Sequence, residues 1–275
     1  MGNKRRFAYL LLLPCVVFIA VFLLAPMFAT FISTFFDLGS FSLNGYVTQI
    51  QDPYFQQVFW RSIRLSLISV AICVVLGFPV AYFVSRIAKR KSVFIAMTLF
   101  PLMTSPVVRS FSWMAILGKK GVVNNMLVGS GLVDAPLSLL YNEFSIVVGL
   151  VQLFLPMMII STVGVMENID QDLVLASDSL GSSPTSTFWR ILFPLSTPGL
   201  ITGSVLVFCG SITAYTTAQL LGGSDTRMLA TLIYQDALTL NDWQAASIVA
   251  VVMIVISVVV TEIMNRLARR VNPEV

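Results

Sequence analysis

Six apolar runs partition this chain, and their lengths leave few folds open. They lie at about 7–36, 65–85, 93–117, 144–165, 200–221 and 246–264. About 20 apolar residues cross ~30 Å of hydrocarbon, so each run is long enough, or nearly so, to span a bilayer. Backbone polar groups find no water there, which restricts spanning segments to helices or closed barrels, and runs of this length read as helices. The expected fold is therefore an all-α membrane protein with six transmembrane helices in a single domain, residues 1–275. Composition agrees: 57% of the residues are hydrophobic and 11% charged, against about a quarter charged in ordinary soluble domains. The first run is about twice the ~7–15-residue core of a signal peptide and lacks a clear cleavage site, so it reads as a retained span.

Six spans place both termini on one side. Lys4, Arg5 and Arg6, the cluster Arg86, Lys89, Arg90 and Lys91, and Arg266, Arg269 and Arg270 all fall on that side. An excess of basic residues marks the cytoplasmic face, so both termini are expected in the cytoplasm. The net charge of +4 is explained by these loop residues, with no need for nucleic acid as a partner.

The longest stretch of the second half that is too polar to span and too patterned to be a linker is 169–199, on the same side. Ile169, Leu173, Ala176 and Leu180 recur at helical spacing. Asp170 and Asp172 stand at the start, where a helix N-terminus favours negative charge. Gly181 breaks the helix, because glycine enters the left-handed region without steric cost. Ser183 and Pro184 read as the N-cap and first residue of a second short helix. That helix carries Ser186, Thr187 and Arg190 on one side and Phe188, Ile191 and Leu192 on the other, and Pro194 and Pro198 are expected to end it. Such a helix pair either docks on another protein or lies on lipid.

Catalytic chemistry finds little support. No histidine is present, which excludes a histidine-ligated zinc or a histidine-based triad. A phosphate-cradling loop fails at Gly118-Lys119, where Trp113 stands in place of the first glycine. H-E-x-x-H and G-x-S-x-G are absent as well. The chain is expected to make and break no bonds and to hold no metal or cofactor. Cys15, Cys73 and Cys209 lie far apart in apolar segments and form no metal spacing.

Arg109 is the one charge well inside a span; a charge at the centre of a spanning helix costs about 2.5–3.5 kcal/mol by insertion scales, so it faces a pathway or a structural partner. Gln152 and Phe154 in the fourth run, and Tyr215 and Gln219 in the fifth, either line a path or bond neighbouring helices. Glu262 and Arg266, four apart, suit a helical ion pair.

The 169–199 stretch resembles the cytoplasmic "EAA" loop of permease subunits of bacterial ATP-driven importers. Ala176, Gly181, Phe188, Ile191, Pro194 and Pro198 fall on that pattern, while Leu175, Ser177 and Phe193 replace its usual glutamate, second alanine and leucine. The resemblance implies a coupling helix docking on an ATPase, carried by Leu173, Leu175, Ala176, Leu180, Gly181, Phe188, Arg190 and Pro194. Around Arg109 it narrows. Residues 103–132, with Arg109, Phe111, Trp113, Gly121 and Asn124, are similar to spermidine/putrescine-type permeases, as are LGFPVAY (Leu76 to Tyr82) and Leu220 to Gln235.

That family implies a MetI-like permease fold in the bacterial inner membrane. It implies a second homologous permease, two ATP-binding-cassette subunits carrying ATP and Mg, and a periplasmic solute-binding protein. The implied cargo is a polyamine, with other amines, opines or small organic ions as alternatives. Arg109, Trp113, Gln152, Phe154, Tyr215 and Gln219 are the path candidates. A self-contained secondary transporter would show ion-coupling sites near the midplane, whereas the acidic residues here lie almost all outside the runs.

Overall fold

The computed structural model describes residues 14, 16–37 and 40–271. Lys4, Arg5, Arg6 and Cys15 lie outside them, and Arg269 and Arg270 are described by backbone alone. Helix α1 is Val16–Ser33. A two-residue antiparallel ladder follows, β1 (Phe36–Asp37) with β2 (Ser40–Phe41), then α2 (Asn44–Gln51) and α3 (Pro53–Ile87). Next come α4 (Lys91–Met103), α5 (Pro106–Leu117), α6 (Val122–Gly129) and α7 (Glu143–Glu167). The remainder is α8 (Gln171–Ser179), α9 (Pro184–Thr213), α10 (Tyr215–Gly222), α11 (Leu229–Tyr234) and α12 (Trp243–Val271). Among the described residues, five helices are long and apolar enough to cross a membrane, or six when α4 and the α5–α6 segment count as one bent span. The chain is an all-α, multi-pass membrane protein.

Two compact units emerge. The smaller comprises Met1–Gln56 and Leu232–Val252. In it Tyr46 Oη lies 2.7 Å from Thr34 Oγ1. Gly45 lets α2 approach α12 so closely that a Cβ there would sit 2.9 Å from Ile248. The larger comprises Gln57–Thr231 and Met253–Val275, and its centre is the α7–α9 crossing. Gly199 and Gly203 on α9 meet Met158, Ser161 and Thr162 of α7 without room for a side chain. Small residues allow this approach, which membrane helices use for packing in place of a hydrophobic driving force.

Three segments depart from the sequence expectation, each for a visible reason. Helix α3 begins at Pro53, well before the apolar run at 65–85. Asp52 caps it, accepting from Tyr54 N (3.1 Å) and Phe55 N (3.3 Å), and its first turns mix Gln56, Gln57, Arg61 and Arg64 with apolar residues, so hydropathy alone overlooks them. The third run is not one straight helix over 93–117. It turns by 91° between α4 and α5, where Pro101 sits in a 3-10 turn and Ser105 caps a new helix begun by Pro106.

The third departure corrects the reading of Pro194 and Pro198. They do not end a short helix; α9 runs unbroken from Pro184 to Thr213. Before Pro194 the helix widens into a π-turn, Phe188–Leu192, closed by Phe193 N–H donating to Phe188 O. Widening the turn relieves the clash between the proline ring and the preceding carbonyl, so the helix continues. Helix α1 uses the same device at the same offset: a π-turn at Ala20–Leu24, closed by Ala25 N–H on Ala20 O, precedes Pro26.

If the α7–α9 crossing sets stability, Gly199→Val drives a Cβ to 2.9 Å from Ser161 O and Thr162 Cα. It should cost about 1–3 kcal/mol, read as a lowered thermal midpoint of the detergent-purified chain. Gly164→Ala on α7, which meets nothing within 4 Å, should leave that midpoint unchanged or raised.

Candidate functional site

Residues 169–199 fold as a helical elbow. Asp170 caps α8, its Oδ1 accepting from Asp172 N at 2.9 Å. At the other end Gly181 adopts φ +79. Ser182 N–H donates to Ser177 O (3.1 Å) and Gly181 N–H to Asp178 O (3.0 Å). This is a Schellman closure, which satisfies the last carbonyls and requires the left-handed residue. Ser183 caps the next helix, accepting from Ser186 N at 3.3 Å. A bond crosses the corner between the two arms: Ser177 Oγ and Thr187 Oγ1 lie 2.9 Å apart, both side chains buried. Ser177 is thus the inner strut of the elbow, a role for which a second alanine would have no atom.

Apart from Ser177 and Val174, helix α8 is exposed. Leu173, Leu175 and Ala176 are exposed on α8, and Leu180 at its end is 87% exposed. The apolar stripe read from the sequence is real, and it is turned away from the rest of its own chain. Arg190 and Trp189 are exposed on the adjoining arm.

Its inner side is fastened to the end of α3. Phe188 meets Phe78 and Tyr82 edge to face, with ring centroids 5.8 and 5.3 Å away, and Phe193 meets Phe78 at 5.4 Å. Arg86 Nη2 donates to Met166 O (2.9 Å) and Ile169 O (3.1 Å), so it holds the C-terminus of α7 and the link into α8. A cation at those carbonyls also complements the helix dipole. Lys91 pairs with Glu167 at 3.4 Å. Sequence reading credited Arg86 only with loop charge; the adjacent LGFPVAY segment was the available signal that this helix end is engaged. Pro194, half-buried, sits in α9 just past the π-turn.

The six path candidates do not form one site. Trp113 and Gln152 line a common groove of about 610 Å³ along α3 and α7. Phe154 instead lays its ring on Gly210 of α9, a helix–helix contact. Arg109 on α5 encloses Nε and Nη1 with no hydrogen-bond acceptor among the described residues. Tyr215 is half-buried and Gln219 exposed, both on α10. Nearby, Asn124 anchors the loop beyond α5: its Nδ2 donates to Gly118 O and Leu137 O, and its Oδ1 accepts from Leu137 N. Arg266 Nε and Glu262 Oε1 form the expected ion pair at 2.7 Å. Among the described residues no cluster of His, Cys, Asp or Glu could hold a metal.

Residues 1–273 match the family model described as "Binding-protein-dependent transport system inner membrane component". The chain is 30% identical to the spermidine/putrescine transport system permease protein PotB of Haemophilus influenzae, over 83% of this chain and 80% of the relative. The crystal structure of a bacterial alginate ABC transporter in complex with an alginate pentasaccharide-bound periplasmic protein contains a similar chain. It shares 19% identity and a TM-score of 0.83, covering 98% of this chain and 96% of that one. An inward-facing MetNI methionine ABC transporter matches with TM-score 0.63 at 15% identity, over 81% and 100%. At these identities the two structures establish the MetI-like fold alone.

The strut across the elbow is testable. Ser177→Ala and Thr187→Ala should each destabilise the chain by about 0.5–1.5 kcal/mol. The double variant should cost less than the sum of the two, because both remove the same bond. Thermal unfolding of the four proteins measures this.

Proposed function

The chain belongs to the family of binding-protein-dependent transport system inner membrane components, and from that premise we propose how it couples and what it carries. As a permease subunit it forms half of a translocation pathway, alongside a second, similar permease. ATP and Mg act on two separate cassette subunits, and a periplasmic binding protein delivers the solute. Both termini and the elbow face the cytoplasm.

The observation that carries this reading is the elbow, apolar and open on one side and fastened to the bundle on the other. Leu173, Ala176 and Leu180 form the docking stripe, with Leu175 round the same helix and Arg190 on the adjoining arm as further exposed contacts. Gly181 and Pro194 let the two arms keep their angle, and Phe188 passes the load to Phe78 and Tyr82. When the ATPase subunits close, a surface held by backbone acceptors and interlocked rings moves α3, α7 and α9 together.

The cargo follows from the relatives, which are named for spermidine and putrescine; this permease then carries a polyamine. A second reading is favoured by Arg109, whose enclosed guanidinium suits a solute with a carboxylate, such as an opine. ATPase stimulation of the reconstituted importer separates the two: binding protein loaded with spermidine should stimulate, and stimulation only by carboxylate-bearing amines would select the second.

Gly181→Val tests the elbow. Strain from φ +79 is about 1–3 kcal/mol for a non-glycine residue. Uptake should be lost while membrane insertion persists. Gly131→Val, with φ +71 and equally open surroundings, carries similar strain and should transport normally. Gly181→Asn, which tolerates the left-handed region, should retain most uptake. Normal uptake by Gly181→Val, or equal loss in Gly131→Val, would count against the coupling role.

A further inference from the structure

At the end of α3 opposite Arg86, two recesses meet at one carboxylate. The smaller, about 300 Å³, is lined by Gln57, Trp60, Arg61, Arg64 and Glu143. The larger is the 610 Å³ groove already described, and Glu143 lines it too. Beyond Glu143 its walls are apolar stripes, Ile68, Ile72 and Leu76 on α3 and Val148, Val151 and Leu155 on α7. Spacings of three and four keep each stripe on one helix face.

The polar recess carries one positive charge in excess. Glu143 forms an ion pair with Arg61 at 3.2 Å and accepts a hydrogen bond from Arg64. Arg61 is largely enclosed: its side chain is 12% exposed and its Nη1 donates to Asp225 O (3.1 Å) and Arg227 O (3.5 Å). Arg64 differs. It reaches Glu143 through Nη2 alone and is 59% exposed, so its other donors remain open beside the exposed Trp60.

Depth identifies the occupant. Arg64 and Arg86 are separated by about 33 Å of helix at ~1.5 Å per residue, close to the ~30 Å hydrocarbon thickness. With Arg86 at one boundary, Arg64 and Trp60 stand at the other, at the level where tryptophan and headgroups meet. From Arg64 the apolar groove runs about 18 Å towards the bilayer centre as far as Leu76.

We propose that the two recesses together bind one anionic phospholipid, its phosphodiester on Arg64 beside Trp60 and an acyl chain along the α3–α7 groove. A free phosphate satisfies only the first half and an apolar helix only the second. An anionic lipid has both parts in one molecule. The inference rests on the membrane architecture and is independent of coupling and cargo.

The test uses the full chain, purified from membranes with whatever subunits accompany it and reconstituted in nanodiscs of phosphatidylglycerol or phosphatidylcholine with identical acyl chains. Native mass spectrometry then reads the lipid retained per chain. Phosphatidylglycerol should be retained about fivefold over phosphatidylcholine, the preference one exposed basic residue confers at an anionic surface. Arg64→Gln should bring the ratio near one. Val148→Trp, which fills the groove, should lower retention of both lipids, and millimolar inorganic phosphate should displace neither. Equal retention by wild type and Arg64→Gln would overturn the proposal, as would displacement by inorganic phosphate. So would a Val148→Trp variant that sheds an accompanying subunit while keeping its lipid, because the groove would then belong to a protein helix.

Discussion

Inside hydrocarbon a backbone carbonyl has nowhere to turn but to its own helix, and much of this structure follows from that constraint. Prolines 26 and 194 each remove a donor, yet neither breaks its helix, because a π-turn in the residues just before each ring re-pairs the backbone. Hydroxyls serve the same accounting. Ser196 donates to Leu192 O, Thr197 to Phe193 O and Thr202 to Pro198 O, so the stretch of α9 richest in proline also carries hydroxyls that double up on its carbonyls. What looks in sequence like a run of helix breakers is one long helix with a local widening.

The elbow uses the same logic at its border with water. Helix α7 ends with carbonyls that lipid cannot satisfy, and Arg86 supplies donors to two acceptors at once. The guanidinium fork suits this, since its planar donors are already arranged and little freedom is lost on binding. The aromatic contacts of Phe78 and Tyr82 with Phe188 act from the neighbouring turns of α3. Polar and apolar fastenings therefore flank the corner, and the bond between Ser177 and Thr187 fixes its opening. A surface tied down at several points moves with the bundle; one tied at a single point would swivel.

Much of this was legible. The apolar runs locate the long helices, and Gly181, Ser183 and Pro184 locate the corner, because a left-handed glycine and a capped proline each have one physical meaning there. Less legible were features that depend on partners distant in sequence. Arg86 reads as one more basic loop residue until α7 is placed beside it. Phe154 reads as a path residue until Gly210, on another helix, is found beneath its ring. The start of α3 escaped because glutamines and arginines interrupt the apolar residues of its first turns, although Asp52-Pro53 is a legible cap. The prolines misled for a different reason. Their helix-breaking tendency is an average over water-exposed helices, and in lipid the alternative to continuing the helix costs more.

Leu175 shows how the same reasoning bears on recognition. At the position where the resembled loop pattern has a glutamate, this chain presents a leucine that is 60% exposed, on the side of α8 away from Leu173 and Leu180. A carboxylate there would offer direction and long-range attraction; leucine offers neither, and contributes only where its surface is covered. The energetics of such a face shift from ion pairing towards shape and apolar burial, which salt screens little.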